Sequence, residues 1–383
     1  MVSSAPAISH RNILKMRLET SSDRYVAVQR ARRSLLDLGP DAALTGVEPW
    51  IAQSWKRCVA SGKQPEQSIV FAPNALISQK RVTEQYQSLI AAAKPSLQSL
   101  GDLVAGIGYF ALLTNAQGQV IDVAGAVDRS DPSAGAIAQV GVDLSEATAG
   151  TSAICTALLE QHPVWLHQHE HFFEATSVYS CAGAPLFDPR GHCLGMLDLT
   201  GIRVREQRQL IHLVSQYARE IERSVLLRET HSLLLQIRWP GQFAGVSGGG
   251  LVSVDSEGQI LGADQLARQM IPDLQQLQMG VVHLSDVFAA PSGIFFDRAR
   301  QKNPMSEHPL WSGLSLLVET TTGDSSCAEK KPSGQSPMSL KSMQSELIQR
   351  ALQQAKGNVE LAAGRLGISR ATLYRKLRRH HSS

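Results

Sequence analysis

Hydrophobic positions change their spacing several times along the chain, and each change marks a different kind of element. From Arg24 to Leu100 apolar residues recur at helical intervals, with Trp50, Ile51, Trp55 and Val59 on one face. From Gly101 the pattern shortens into runs. GYFALLTN and QVIDVAG flank an Asn-x-x-Gly turn and predict a hairpin. A helix is expected to start near Ala149, with Ile154, Ala157 and Leu158 towards a sheet and Pro163 closing it. PVWLH, SVYSCAGAPLFD and HCLGMLDLTGI then read as three strands, the last two joined by the turn Asp188–Gly191. Helical spacing returns from Val204 to Glu229, where Ile211, Val214, Ala218, Ile221, Val225 and Leu226 form a stripe. LVSVDSEGQILGADQLARQMI repeats the order strand, turn, strand, helix, and LSLLVET reads as a further strand. The polar stretch TTGDSSCAEKKPSGQSP predicts a linker.

The last segment carries the clearest chemistry. Leu340, Met343, Leu347, Ile348, Ala351 and Leu352 mark one helix, and Gly357-Asn358 ends it. A second helix is predicted over Val359–Leu366, with Gly367 making the turn. Ser369 caps a third, Arg370–Arg379, on which Leu373 and Leu377 can face inward. Arg365, Arg370, Arg375, Lys376, Arg378 and Arg379 bring six positive charges and no acid to this end. A basic helix held across a small support helix suits the DNA major groove. Arg370 is the candidate for reading bases, because a guanidinium pairs with guanine O6 and N7. Thr372, Arg375 and Lys376 are candidates for phosphates, which position the protein without reading sequence.

Composition narrows the setting. The 383 residues suffice for two to four domains, and the net charge of +3 is only weakly basic, so DNA affinity is expected to be local to the C-terminal end. No apolar run reaches a membrane span, and MVSSAPAISHRNILKMRLE has no apolar signal core. The expectation is a cytoplasmic protein with no membrane contact. The five cysteines, Cys58, Cys155, Cys181, Cys193 and Cys327, show no paired metal spacing and read as free thiols. His167, His169 and His171 alternate, so an extended strand would point three imidazoles one way, towards a metal. The plainer reading is a strand end with capped or exposed histidines, and no metal or other cofactor is expected. The sequence contains no G-x-x-x-x-G-K-[ST] phosphate loop and no H-E-x-x-H, so it is not read as an ATPase or other enzyme.

Three resemblances join these parts. The segment GN, AA, LGISR, TLYRKL resembles the DNA-binding domain of the Fis family. It implies a homodimer on double-stranded DNA, with Asn358, Ser369, Arg370, Thr372, Arg375 and Lys376 at the family's contact positions; Arg378 and Arg379 extend the basic face. IAQSWKRCVASGKQP, through Ile51, Ser54, Trp55, Arg57, Cys58 and Gly62, resembles the helical signature ahead of the sensor in acetoin-catabolism-type regulators. GTSAICTALLEQHPVWLHQHEHFF and YSCAGAPLFDPRGHCLGMLDLTG resemble the GAF sensor domain of those proteins. That implies a six-stranded sheet, helices on one face and a pocket on the other for a small hydroxylated, carbonyl or aromatic effector. Trp165, His171, Phe172, Tyr179 and Cys181 are the effector candidates. The segment from 251 onward resembles the start of a PAS domain, and its expected role is dimer contact.

The expected fold is thus multidomain α+β. Residues 1–23 form a flexible arm, 24–100 a helical region, 101–230 a GAF α/β sensor and 231–320 a degenerate PAS-like α/β domain. Residues 321–337 form the linker, and 338–383 an all-α Fis-type helix-turn-helix. The expected function is a DNA-binding transcriptional regulator answering to a signal at the GAF domain without ATP hydrolysis. RNA polymerase is a further candidate partner. An alternative is a redox- or metal-responsive regulator using Cys155, Cys181, Cys193 or the histidine cluster. Another is a DNA-architectural protein whose GAF domain binds protein and no ligand.

Overall fold

A computed structural model describes residues 21–71, 79–241, 249–276, 281–301 and 305–323. The chain divides into two compact units, Met1–Ser325 and Ser326–Ser383. The second unit lies outside the described residues, as do Cys327, most of the linker and every candidate DNA contact. The first unit is mixed α+β, built on two antiparallel sheets.

Four helices open it: α1 (Ser21–Leu38), α2 (Pro49–Ala60), α3 (Gln79–Gln85) and α4 (Gln87–Ala105). The first sheet region follows with β1 (Tyr109–Asn115), β2 (Val120–Ala124), α5 (Pro132–Ile137), α6 (Glu146–Ala149), α7 (Ala153–Glu160), β3 (Val164–His167), β4 (Tyr179–Phe187), β5 (Cys193–Ile202) and α8 (Leu210–Arg228). The second comprises β6 (Leu233–Arg238), β7 (Gly250–Val254), β8 (Ile260–Ala263), α9 (Gln265–Met270), α10 (Asp273–Gln276), α11 (Leu284–Val287), α12 (Gly293–Ala299), β9 (Met305–Pro309) and β10 (Ser315–Thr322).

The first sheet has the order β2-β1-β5-β4-β3, five strands among the described residues rather than the expected six. Strand alternation sorts its side chains onto two faces. Ala111, Leu113, Ala182, Ala184, Leu197 and Leu199 pack against α4 and α8 through Leu97, Leu100, Val214 and Ile221. Helix α4 therefore belongs to the sheet's core and runs past residue 100, where the helical region was expected to end. Phe110, Leu112, Cys181 and Met196 face the other way, towards α5 and α7. The helix expected near Ala149 is two: α6 stops at Gly150, and Ser152 caps α7 by accepting from Cys155 N.

The second sheet has the order β8-β7-β6-β10-β9. Two of its strands were not anticipated. The residues of β6 alternate Leu233, Leu235 and Ile237 inward with half-buried Leu234, Gln236 and Arg238. The polar edge strand β9 has no apolar alternation to announce it. In both hairpins one side chain closes the turn. Asn115 Oδ1 accepts from Gln117 N and Gln119 N, and Asp255 Oδ1 accepts from Glu257 N and Gln259 N. No described helix is long and apolar enough to cross a membrane.

Candidate functional site

On the α7 face of the first sheet lies a cavity of about 30 Å³. Leu112, Ile137, Leu144, Ala153 and Ile154 supply apolar wall. His171, Tyr179, Cys181, Thr200, Thr176 and Ser152 supply the polar groups, and Phe71 closes one side. The volume suits a water molecule or two, well below the several hundred Å³ of a typical ligand pocket. Any molecule larger than that would have to move these walls apart to enter.

The cavity unites three of the five expected effector residues. His171, Tyr179 and Cys181 line it, whereas Trp165 and Phe172 do not. Period-two alternation accounts for Trp165: Val164 and Leu166 take the α7 face, so Trp165 turns to the α8 side and joins Leu197 and Leu199. Phe172 points to the N-terminal helices, packed with Phe173, Val28, Leu35, Ile51, Trp55 and Cys58. Thr200 and Phe71 were not anticipated. Thr200 lies two residues from buried Asp198 on the same face of β5, and that pair of polar residues in an apolar strand is a readable signal. Phe71 is brought in by the chain beyond α2, and nothing in its local pattern marks it.

Beside the cavity, Asp198 sits mid-sheet between Leu112 and Gly183. Thr200 Oγ1 donates to Asp198 Oδ2, while Oδ1 is buried without a partner. Burial pushes the Asp198 carboxyl up to about 7, against the Thr200 hydrogen bond. A Cβ at Gly183 would lie 2.2 Å from Met196 Cε, the free end of a flexible side chain, and 3.4 Å from Asp198 Oδ1.

The segment carrying His171 is braced by the N-terminal helices. Arg24 of α1 pairs with Glu170, which is 2% exposed and also accepts from His167 N at 2.7 Å. Arg32 Nη1 donates to His169 O and His171 O, and its Nη2 to Phe172 O, at 2.8–3.1 Å. Trp55 Nε1 donates to Glu170 O at 2.9 Å. One turn away, Arg57 forks onto Glu146 through Nε and Nη2 at 2.9 and 2.8 Å. Ser54 Oγ donates to Glu146 and lies 2.7 Å from Thr151 Oγ1. The SWKRC segment is therefore the part of α2 that locks onto the first sheet's loops. Gly150, at φ +64°, completes the joint: a Cβ there would be 2.8 Å from the Phe173 ring.

The three histidines do not converge. The strand ends at His167, and a single 3₁₀ turn over Gln168–Glu170 breaks the alternation. His167 stacks on Trp165 and contacts Ser180; His169 sits against Tyr25; His171 turns into the cavity beside Tyr179. Among the described residues no group of three His, Cys, Asp or Glu side chains is placed to hold a metal. Cys58, Cys155 and Cys181 are buried, and burial pushes each thiol up, which disfavours the reactive thiolate.

Comparison with known proteins matches the same stretch of chain as this braced unit. Residues 25–222 match the family described as MimR, N-terminal domain, a span that includes α2 with its SWKRC segment, the sheet and most of α8. Residues 339–380 match the bacterial regulatory protein, Fis family. The acetoin catabolism regulatory protein of Cupriavidus necator is 32% identical over 231 residues, covering 58% of this chain and 34% of that protein. The acetoin dehydrogenase operon transcriptional activator AcoR of Bacillus subtilis is 26% identical over 228 residues, 59% of this chain and 37% of that protein. This chain thus spans about a third of the length of these curated relatives. The crystal structure of the E. coli DhaR(N)-DhaL complex aligns with 72% of this chain and 99% of its own, at a TM-score of 0.44 and 14% identity. With the MimR N-terminal domain covering half its length and a Fis-type helix-turn-helix at its C-terminal end, the chain belongs to the MimR family and is a homologue of the acetoin-catabolism regulators.

Proposed function

We propose that this chain is a sequence-specific transcriptional regulator whose DNA affinity is set by a small molecule at the first sheet, without ATP hydrolysis. The observation that carries this reading is the Fis-family match at 339–380 on the same chain as a small, chiefly apolar cavity with polar residues among its lining. In this reading residues 101–230 are a GAF sensor, and 231–320 are a PAS-like module contributing to dimer contact. The effector enters beside His171, Tyr179, Cys181 and Thr200. Helix α8 packs on the sheet and leads to β6, so a change at the sheet reaches the second region along it.

In a homodimer, Arg370 would read bases, and Asn358, Ser369, Thr372, Arg375, Lys376, Arg378 and Arg379 would hold the backbone. Half-sites lie at fixed helical intervals, so a small change in head spacing alters affinity. A coupling of about 1–3 kcal/mol between effector and DNA suffices for a switch. Operator binding by fluorescence anisotropy tests the reading. Arg370→Ala is expected to lower specific affinity at least ten-fold, with circular dichroism unchanged and the salt-dependent nonspecific binding retained. Unchanged operator affinity in that variant refutes the role of Arg370. The raised thiols of Cys155 and Cys181 and the divergent histidines argue against those residues as redox or metal centres.

A further inference from the structure

The cavity is small, and acceptors outnumber donors among the polar groups at its wall. His171 Nδ1 lies 2.9 Å from Gln168 O. A carbonyl oxygen only accepts, so Nδ1 carries the ring proton. Burial holds the imidazole neutral, its pKa pushed down to about 4. A neutral ring has one N–H, so Nε2 is a bare lone pair, and it is buried with no hydrogen-bond partner.

The neighbouring groups add acceptors. Tyr179 Oη donates to Ser133 O at 2.9 Å, Thr176 Oγ1 donates to Phe173 O at 2.8 Å, and Thr200 Oγ1 donates to Asp198. Each keeps only oxygen lone pairs for a ligand. Cys181 offers a weak S–H donor, 3.5 Å from Thr200 Oγ1. Ser152, at the α7 cap, is the lining hydroxyl with no acceptor assigned to its proton. No lysine or arginine lines the space, so an anion there would be desolvated without a counter-charge.

We propose that this cavity selects small, neutral hydrogen-bond donors, alcohols and phenols, whose hydroxyl donates to His171 Nε2. The proposal rests on the effector reading above and names its ligand class. A ketone or ether of the same shape sets lone pair against lone pair and leaves Nε2 unpaired, a larger penalty than the loss of one solvated hydrogen bond. The geometry thus discriminates by donor, not by outline.

The test uses the full-length protein and two matched pairs, 2-butanol against butanone and phenol against fluorobenzene, by calorimetric titration. The hydroxyl member of each pair is expected to bind at least about ten-fold tighter. In His171→Gln, whose amide can donate as well as accept, that preference is expected to fall below about three-fold. Nitrogen-15 histidine spectra of the wild type supply a readout that needs no variant: His171 is expected in the Nδ1–H tautomer, with Nε2 shifting when 2-butanol or phenol binds. Equal or tighter binding of butanone and fluorobenzene, or a proton on Nε2 in the free protein, overturns the donor rule. If butanone then also changes operator affinity, the effector reading survives that failure. Binding by none of the four compounds overturns both.

Discussion

The two sheets, β2-β1-β5-β4-β3 and β8-β7-β6-β10-β9, place an edge hairpin, a central strand and two further strands in the same positions. The centre is filled by the last strand of the first sheet and by the first strand of the second. They part company in what they bury. The first region holds Glu170, His171, Asp198, Thr200 and Glu222 in its interior, and Trp165, His171, Asp198 and Glu222 each retain a buried atom with no partner. The second is filled by Leu235, Ile237, Val252, Leu284, Phe288, Phe295 and Val318. Its buried Ser253 and His308 are hydrogen-bonded, to Gly262 O and Ser306. Buried unpaired polar groups destabilise, and among the described residues the first region holds four such atoms against one in the second, Gln259 Oε1. Of the four, His171 lines the small cavity and Asp198 lies beside it, whereas Trp165 and Glu222 belong to the α8 side of the sheet.

The largest expected effect comes from breaking the brace of the first region. Glu170→Ala leaves Arg24 facing a buried, unpaired environment and frees His167 N. A loss of about 3–5 kcal/mol is expected in urea unfolding. Hydrogen exchange should accelerate in residues 164–187 and leave 233–238 and 250–254 protected. Phe295→Ala, in the second core, is expected to cost a similar amount with the converse pattern. Exchange spreading equally over both sheets in either variant would mean that the two regions are not distinct in kind.

Next in size is the pH response of Asp198. Its folded carboxyl is raised by burial to about 7 from the ordinary 3.8, so the folded state binds the extra proton between those values. Stability contributed by the protonated group is fully present below pH 3.8 and lost as pH rises to 7. Asp198→Asn stays neutral throughout. It is expected to match the wild type near pH 4 and to exceed it by roughly 2–4 kcal/mol at pH 8. His171 works in the opposite sense: lowered to about 4 from 6.5, it destabilises as pH falls through that window. No corresponding gain at pH 8 in Asp198→Asn would show that the carboxylate has a partner in solution and would remove the strongest contrast between the regions.

Most of the first region was legible in the sequence because alternation and turn chemistry are local. The hairpin at Asn115, the strands on either side of Asp188–Gly191 and the stripe of α8 follow from side chains a few residues apart. The site was legible only in part. His171, Tyr179 and Cys181 were readable from their strand and loop, but facing was not: Trp165 lies one position out of phase with Leu166, and Phe172 follows the N-terminal helices. Those helices hold the loop through Arg24, Arg32 and Trp55, residues more than a hundred positions away in the chain, and such pairings leave no trace in local periodicity. In the second region β9 was missed because an edge strand with one solvated side needs no apolar pattern.

The smallest effect concerns how far the contrast is insulated. The Asp188–Gly191 turn of the first region touches the second: Ala263 N donates to Pro189 O at 2.8 Å, and Arg268 Nη2 donates to the same carbonyl. Nearby, a groove of about 440 Å³ between α8 and α9 is lined by Arg219, Glu222, Arg223 and Asp264. Arg268 also reaches Ala263 O, so it ties turn, strand and helix together. Arg268→Ala removes these donors but leaves the Ala263 bond, and about 1–2 kcal/mol is expected. The sharper readout is cooperativity. If the turn is the mechanical link between a sensing sheet and its scaffold, the variant should unfold in two resolved steps where the wild type shows one for both sheets. It should also weaken the effect of a bound alcohol on operator affinity while leaving alcohol binding unchanged. A single transition with full coupling would shift the link to α8 alone, which runs from the first sheet into β6 without needing the turn.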